Sequence, residues 1–484
     1  VIVPTITTKE DAAVRRKYLV VSVLMLSLMA GVLAGCGSEA LKADVVVVGG
    51  GGAGLAAAIE AADKGASVIV LEKQAFLGGN TAICGGLVPG VGTELQKAQG
   101  IEDSPEKYAE DILKANGYTG DPELIRVATE ASADFVPWFE SLGAEFLKVV
   151  PFPGNSVDRL HQEKSLSGAG LVQVLKEAAE ARNVKIMLET PATALIKDAN
   201  GAISGVKART KDGKEITIQA KAVILATGGF AGNKEMLAEY IPAMVDSGLL
   251  GNPGNVGDGI KMGMEVGADV RFMDAYLPHA AVNPEKTLLI TWEAIMRGGI
   301  LVNGEGERFV NEALGYAKCA PEVAAQDKVY IVFDDNVKAL VEKMASYESV
   351  TVEAANADEL AEKLGLDKDT FAATIAEYND AVAAGSDKFG RTVFEKPFEG
   401  KLSAIEVKSY LLFTTGGLRI DASARVLDKD GNPIPGLYAA GETAATGIAG
   451  SGYAGYITGE GLLAAFAFGR IAGQHAGETV AAAK

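Results

Sequence analysis

The sequence predicts an α/β protein built on a parallel-sheet, Rossmann-type domain that a stretch of different character interrupts. Three observations predict this. An apolar run, Asp44-Val45-Val46-Val47-Val48, ends in Gly49-Gly50-Gly51-Gly52-Ala53-Gly54 and passes into the helical pattern Leu55-Ala56-Ala57-Ala58-Ile59-Glu60-Ala61. A second strand-like run, Ser67–Leu71, ends at Glu72, 23 residues after Gly49. Two further apolar runs that end in glycine, 222–230 and 436–442, lie on either side of a stretch of different character, about 276–412.

The chain has 484 residues and 48% hydrophobic content, enough for a large core and more than one domain. A net charge of -18 excludes nucleic acid as a partner and provides no electrostatic attraction to anionic lipid. Membrane attachment is read instead from residues 1–36. Lys9, Arg15, Arg16 and Lys17 precede the apolar run Tyr18–Leu33, which closes with Leu33-Ala34-Gly35-Cys36. A basic stretch, an apolar stretch and small residues before a cysteine describe a secretory signal. Its ending resembles a bacterial lipoprotein box, with Cys36 lipidated and the protein held at the extracytoplasmic face of the cell membrane. The competing reading is a transmembrane anchor, because the run approaches the shortest spans. Arg15-Arg16-Lys17 also resembles a twin-arginine signal in part, and the export route stays open. Besides Cys36 the mature chain holds Cys84 and Cys319, with three histidines in the whole sequence, so neither a haem or iron–sulfur motif nor a metal site is expected.

In the glycine segment the GxGxxG spacing falls on Gly49, Gly51 and Gly54. The first allows the turn, the second lets the backbone approach a pyrophosphate, and the third lets helix pack on strand. Glu72 stands where a carboxylate accepts the hydroxyls of an adenosine ribose. Ser104-Pro105 and Asp121-Pro122 read as helix starts, Ser167-Gly168 as another, and Lys185–Glu189 and Ala192–Lys197 as strands. Asn200-Gly201 and Lys211-Asp212-Gly213 punctuate hairpins. A hairpin at 300–310 and helices at 334–344, 357–364 and 370–384 fill the inserted stretch, and a last helix is expected from about Ile457 to Ala476.

After Glu72 and Lys73 comes Gly78-Gly79-Asn80-Thr81, then Cys84-Gly85-Gly86. With the glycine segment and Glu72, this GGNT turn resembles the flavoproteins of the fumarate reductase and succinate dehydrogenase family, above all the flavocytochrome c fumarate reductases and urocanate reductases. The resemblance covers about residues 41–478. It implies a Rossmann-type FAD-binding domain (41–275 and 413–484) with an inserted α+β clamp, or capping, domain (276–412). It also implies FAD contacts from Gly49, Gly51, Gly52, Ala53, Gly54, Glu72, Lys73, Gly79, Asn80, Thr81, Cys84, Gly85, Gly86, Ala192, Thr227, Gly228, Asp258, Glu442, Ile457 and Thr458. Relatives that attach FAD covalently do so through a histidine near the GGNT turn; here Ala82, Ile83 and Cys84 follow Thr81, so FAD is expected to be non-covalent.

The family transfers hydride to an electron-poor alkene carbon and protonates its neighbour from an arginine fed by a glutamate–arginine relay; two histidines, a threonine and a second arginine hold a dicarboxylate. Carried over by local motif, His279 and Thr291 match, twelve residues apart. Glu293 and Arg297 stand near the relay positions but shifted; at i, i+4 on a helix they either couple or form an ordinary salt bridge. Counting from Arg308-Phe309-Val310-Asn311-Glu312, the acid falls on Tyr316. The second histidine falls on Leu412 and the substrate arginine on Gly452.

A tyrosine stays protonated at neutral pH and can serve as the acid, as in related ketosteroid dehydrogenases; the bland alternative is that Tyr316 only packs. Cys84 and Cys319 read as small inert hydrophobes. The reading is therefore a membrane-anchored FAD oxidoreductase of anaerobic respiration type. It reduces an activated C=C bond in a neutral or monoanionic enoate or enone and takes electrons from a separate protein or quinol-linked carrier. Two alternatives stay open: a dicarboxylate reductase whose cations come from residues such as Arg297, and a non-catalytic flavin lipoprotein that binds a ligand or relays electrons.

Overall fold

A six-stranded sheet carries the glycine segment. In the computed structural model, which describes residues 41–152 and 154–482, its order is Arg425–Leu427, Pro433–Ala439, Ala222–Leu225, Val45–Val48, Val68–Leu71, Lys185–Met187. All neighbours are parallel except the Arg425–Leu427 edge. Val45–Val48 sits near the middle, 0–4% exposed, with Val45 opposite Ala222 and Val68. Burial on both faces explains why this strand reads as a continuous apolar run and not as an alternation.

The helix Gly52–Asp63 follows the glycine turn and packs along the last helix, Glu460–Ala482. Gly469, Gly473 and Gly477 recur every four residues on the contact face, against Ala53, Ala57 and Ala61. A side chain at any of them would push the two helices apart. The last helix begins at Glu460, not Ile457, because Gly459 (φ +106°) still belongs to the preceding turn. The meander Ala192–Lys197, Ile203–Arg209, Glu215–Gln219 turns at the two expected hairpins, and Ser104 and Asp121 cap their helices. The helix expected over 334–344 is short, Asp335–Leu340, and a 3₁₀ stretch follows it over Glu342–Val350.

The second sheet is built on one long strand, Leu402–Thr414. It pairs antiparallel with Val329–Asp334, Thr351–Ala354 and Tyr276–Asn283, and Ile300–Asn303 extends the sheet beyond Val329–Asp334. This sheet also takes Gly248–Leu249, parallel to Tyr410-Leu411, so a strand from before position 275 joins the inserted layer. Buried clusters that include Ile331, Phe333 and Ile405, and Val332, Phe371 and Tyr378, form its core. The described residues from Lys42 onward form one unit. The signal segment and Cys36 lie outside the described residues. Among the described residues no helix is long and apolar enough to cross a membrane.

Candidate active site

The sheet's carboxyl edge opens onto a cavity of about 220 Å³. Gly49, Gly51, Gly52, Ala53, Glu72, Lys73, Gly79, Asn80, Thr81, Cys84, Gly85, Ala192, Thr227, Gly228, Asp258, Glu442 and Thr458 line it together. Gly49 has φ +110°, and a Cβ there would overlap the Ala226 carbonyl. Gly51 precedes the helix with no capping side chain, so the first-turn N–H groups remain available to an anion. Glu72 accepts from the Gly50 N–H at 2.8 Å and the Gln74 N–H at 2.7 Å, and each oxygen keeps a lone pair for a ribose hydroxyl.

Three expected contacts stand off the cavity. Gly54 is a packing glycine, because a Cβ there would overlap the Gly49 carbonyl. Gly86 (φ +69°) turns the chain against the Ser167 backbone. Ile457 is buried against Gly154.

Several lining residues were not legible in the motifs. Gln74 and Asn252 exchange amide hydrogen bonds of 3.0 and 3.1 Å, and Asn252 N–H donates to Asn80 Oδ1 at 2.8 Å. Asn80 in turn donates to both oxygens of Glu442 at 2.7 and 2.9 Å, while Asn255 and the Gly229 N–H donate to it at 3.2 Å. Desolvation pushes the Glu442 carboxyl up to about 7 against the pull of these donors. Lys73 is the one cation among the described lining residues, and Asp258 holds it at 2.6 Å.

Behind the lining residue Thr458, and outside the cavity lining itself, stands an aromatic cluster. The Tyr316 ring stacks on His279, centroids 4.4 Å apart and 17° from parallel, and Trp292 meets both edge-on at 6.3 Å. Register shifts in Tyr276–Asn283 on either side of Pro278-His279 aim the imidazole out of the regular pleat. His279 Nδ1 accepts from the Ala281 N–H at 3.1 Å, so the ring proton sits on Nε2. Burial pushes this imidazole down to about 3, which keeps it neutral. Tyr316 opens the helix Tyr316–Ala324, and its hydroxyl lies 3.3 Å from Thr458 Oγ1. Burial pushes the phenol up to about 12. Cys319, one turn further, is likewise pushed up to about 12, and burial raises Cys84, so both remain thiols.

The remaining expected positions need correction. The hairpin from Val282 to Leu289 brings Thr291 back toward the His279 strand; its hydroxyl accepts from the Glu293 N–H at 3.3 Å and, like His279 and Tyr316, it does not line the cavity. Glu293 and Arg297 form no relay. Their helix is a single turn, Glu293–Met296, both residues are exposed, and Glu395 pairs with Arg297 at 3.2 Å. Leu412 lies off the cavity while its neighbour Phe413 lines it, as strand alternation requires. Gly452 also lies off the cavity, its carbonyl accepting from the Tyr276 N–H at 3.0 Å; Tyr456, four residues on, lines the cavity instead.

A family model described as FAD binding domain matches residues 44–461. The chain belongs to this FAD-binding family. It is 36% identical over 446 residues to a fumarate reductase (cytochrome) of Shewanella frigidimarina, a match that covers 90% of this chain and 76% of that protein. A vinyl phenol reductase of Lactiplantibacillus plantarum is 30% identical over 484 residues, 90% of this chain and 96% of the relative. The open conformation of a flavocytochrome c3 fumarate reductase superposes with a TM-score of 0.81 at 32% identity, covering 94% of this chain and 81% of that one. This flavoprotein is thus an FAD-dependent oxidoreductase acting on a C=C bond, which removes the non-catalytic alternative.

The cavity fits FAD on the chain's own features: the uncapped helix start takes the pyrophosphate, Glu72 the ribose, and Glu442 with Asn80 and Asn255 a run of hydroxyls. FAD, when bound, supplies the electron pair that passes to carbon as hydride. The chain supplies the rest. Tyr316, stacked on His279 and 3.3 Å from the cavity-lining Thr458, carries a protonated hydroxyl close to the cavity, and Phe413 lines the cavity itself.

Proposed function

We propose that this flavoprotein reduces the activated C=C bond of a neutral or singly charged enoate or enone with aromatic or hydrophobic character, with Tyr316 as the proton donor. The observation that carries this is the Tyr316–His279 stack beside the cavity-lining Thr458, together with a lining whose one described cation, Lys73, is held by Asp258. A dicarboxylate brought there would bury a second charge without a partner, at a loss of several kcal/mol. His279, held neutral, offers an Nε2–H suited to a carbonyl or one carboxylate. The vinyl phenol reductase relative, named for an aromatic alkene, supports the same reading. The fumarate reductase relatives favour the rival dicarboxylate substrate, but Arg297, the cation that reading needs, is exposed and held by Glu395.

The test is anaerobic. Chemically reduced protein is mixed with a panel of alkenes, and flavin reoxidation is followed. Cinnamate-like or enone substrates are expected to reoxidise it faster than fumarate by at least about tenfold. Efficient fumarate reduction overturns the charge argument, and reoxidation by none of the alkenes overturns the reaction. We further propose that electrons arrive from a separate donor protein or quinol-linked carrier, and that lipidated Cys36 holds the protein at the extracytoplasmic membrane face.

A further inference from the structure

Seven buried side-chain polar atoms among the described residues have no hydrogen-bond partner, and four of them gather where the last helix begins. These four are both carboxyl oxygens of Glu460, Thr415 Oγ1 and the Tyr108 hydroxyl. Glu460 is 2% exposed. Tyr108 points its hydroxyl at Gly459, 3.5 Å from where a Cβ would stand. Interiors seldom leave such groups bare, and a cluster of them marks a place built for ordered water. A cavity of about 20 Å³ lies there, bounded by Thr415, Thr446, Tyr456 and Glu460. That is room for about one water with several polar partners. Phe413, Tyr456, Glu442 and the glycines Gly441 and Gly461 line both this small cavity and the flavin cavity.

We propose that Glu460 is the proton store for Tyr316. Its proton passes through a water in the small cavity and then through the Tyr456 and Thr458 hydroxyls. This rests on Tyr316 as the acid in the reaction proposed above. Tyr316 loses its O–H proton to the substrate carbon. The phenolate then takes the proton of Thr458 Oγ1, its partner at 3.3 Å. Thr458 is refilled from Tyr456 through a water in the flavin cavity that both line, Tyr456 from the water of the small cavity, and that water from the Glu460 carboxyl. One O–H bond breaks and one forms at each hop, no electrons move, and Glu460 is left as a carboxylate that recovers a proton from solvent. Glu460 thus acts through Tyr316 as a positioning residue.

The surroundings favour a carboxyl that holds its proton. Desolvation raises Glu460 well above the usual carboxylate range, and the Ile457 N–H is the facing group that opposes this. The other facing groups are the phenols of Tyr108, Tyr316 and Tyr456. Arg159 lies over the Tyr108 ring at 4.4 Å, but Asp103 at 3.0 Å and Asp111 at 2.6 Å occupy it. Supply from this side replaces the Glu293–Arg297 route that the structure does not form.

The test uses FAD-loaded protein with Glu460→Gln, and Thr415→Val as a second variant that removes a water partner and leaves the carboxyl. Because Tyr316 starts each experiment protonated, Glu460→Gln is expected to keep the first turnover of pre-reduced protein near the wild-type rate. Its steady-state rate should fall about tenfold or more, and Thr415→Val should show the same split more weakly. Glu460→Asp should recover part of the loss. Equal loss in both phases means a structural role and overturns the proposal, as does no loss in either.

A readout independent of activity is the infrared band of a protonated carboxyl, read at about pH 9, above the value near 7 at which Glu442 ionises. It should vanish in Glu460→Gln and shift in Tyr316→Phe, because the hydrogen-bond chain ends at Tyr316. A band absent from the wild type, or unmoved by Tyr316→Phe, overturns the proton path. If no alkene reoxidises the reduced wild type, the function proposed above fails by itself, and the infrared band alone decides the path.

Discussion

Tyr316→Phe separates proton donation from everything else Tyr316 does. The ring keeps its stack on His279 at 4.4 Å and its edge contact with Trp292, so the shape of the cluster should survive. What is removed is one hydrogen bond to Thr458, long at 3.3 Å, worth at most about 1 kcal/mol of stability. Loss of a positioned general acid, by contrast, slows turnover by about 10²–10⁴-fold, or about 2.7–5.5 kcal/mol of barrier. The kinetic effect should therefore exceed the folding effect several-fold. FAD content and melting temperature should stay near wild type while anaerobic reoxidation of the reduced protein by a good alkene substrate collapses.

The pH dependence adds a second check. A phenol pushed up to about 12 keeps its proton throughout the neutral and mildly alkaline range. Wild-type turnover should show no loss near pH 10, where an ordinary tyrosine begins to ionise. Tyr316→Arg should not restore activity, because a guanidinium would be desolvated against His279 and Trp292 and would draw the proton off Glu460. A Phe variant within about threefold of wild type would show that Tyr316 only packs.

Glu442 should trade stability for cofactor binding. Its folded value near 7 lies above the ordinary 4.5, so the neutral form is favoured; the stability it contributes is complete below about pH 4.5 and is lost as pH rises through 7. Apo Glu442→Gln should accordingly be more stable than wild type at pH 8, by about 2–3 kcal/mol, with no advantage at pH 4.5. It should bind FAD at least about tenfold more weakly, and equal pH profiles in denaturant titrations would contradict the assignment. Acid precipitation of the holoprotein should release a yellow supernatant, because no histidine stands in the GGNT turn; flavin kept in the pellet would mean a covalent link. Cys36→Ser should abolish fatty-acid labelling and move the protein out of the membrane fraction, and unchanged labelling would remove the lipoprotein proposal.

The parts of this protein legible in the sequence are those set by neighbours along the chain. Val45–Val48 reads as a doubly buried strand because its own four residues are apolar. The glycine spacing reads as a phosphate turn because it joins a strand to a helix within ten residues and Gly54 packs on the Gly49 carbonyl, whereas the steric demand at Gly49 comes from the Ala226 carbonyl far along the chain. Asn200-Gly201 turns a hairpin for equally local reasons.

The catalytic end is different. His279 and Tyr316 are 37 residues apart, and their stack exists because a bulged strand and a helix start meet across the clamp sheet. The i, i+4 spacing of Glu293 and Arg297 suggests a coupled pair, yet the helix stops after one turn and Glu395, nearly a hundred residues on, captures the arginine. Counting along a motif reaches Gly452, whereas the turn before the last helix presents Tyr456 to the cavity. The upward shift of Glu460 follows from burial at a place where phenols as distant in sequence as Tyr108 and Tyr316 face it. Burial and electrostatics depend on what packs around a group in space, and a linear pattern records only what lies beside it along the chain.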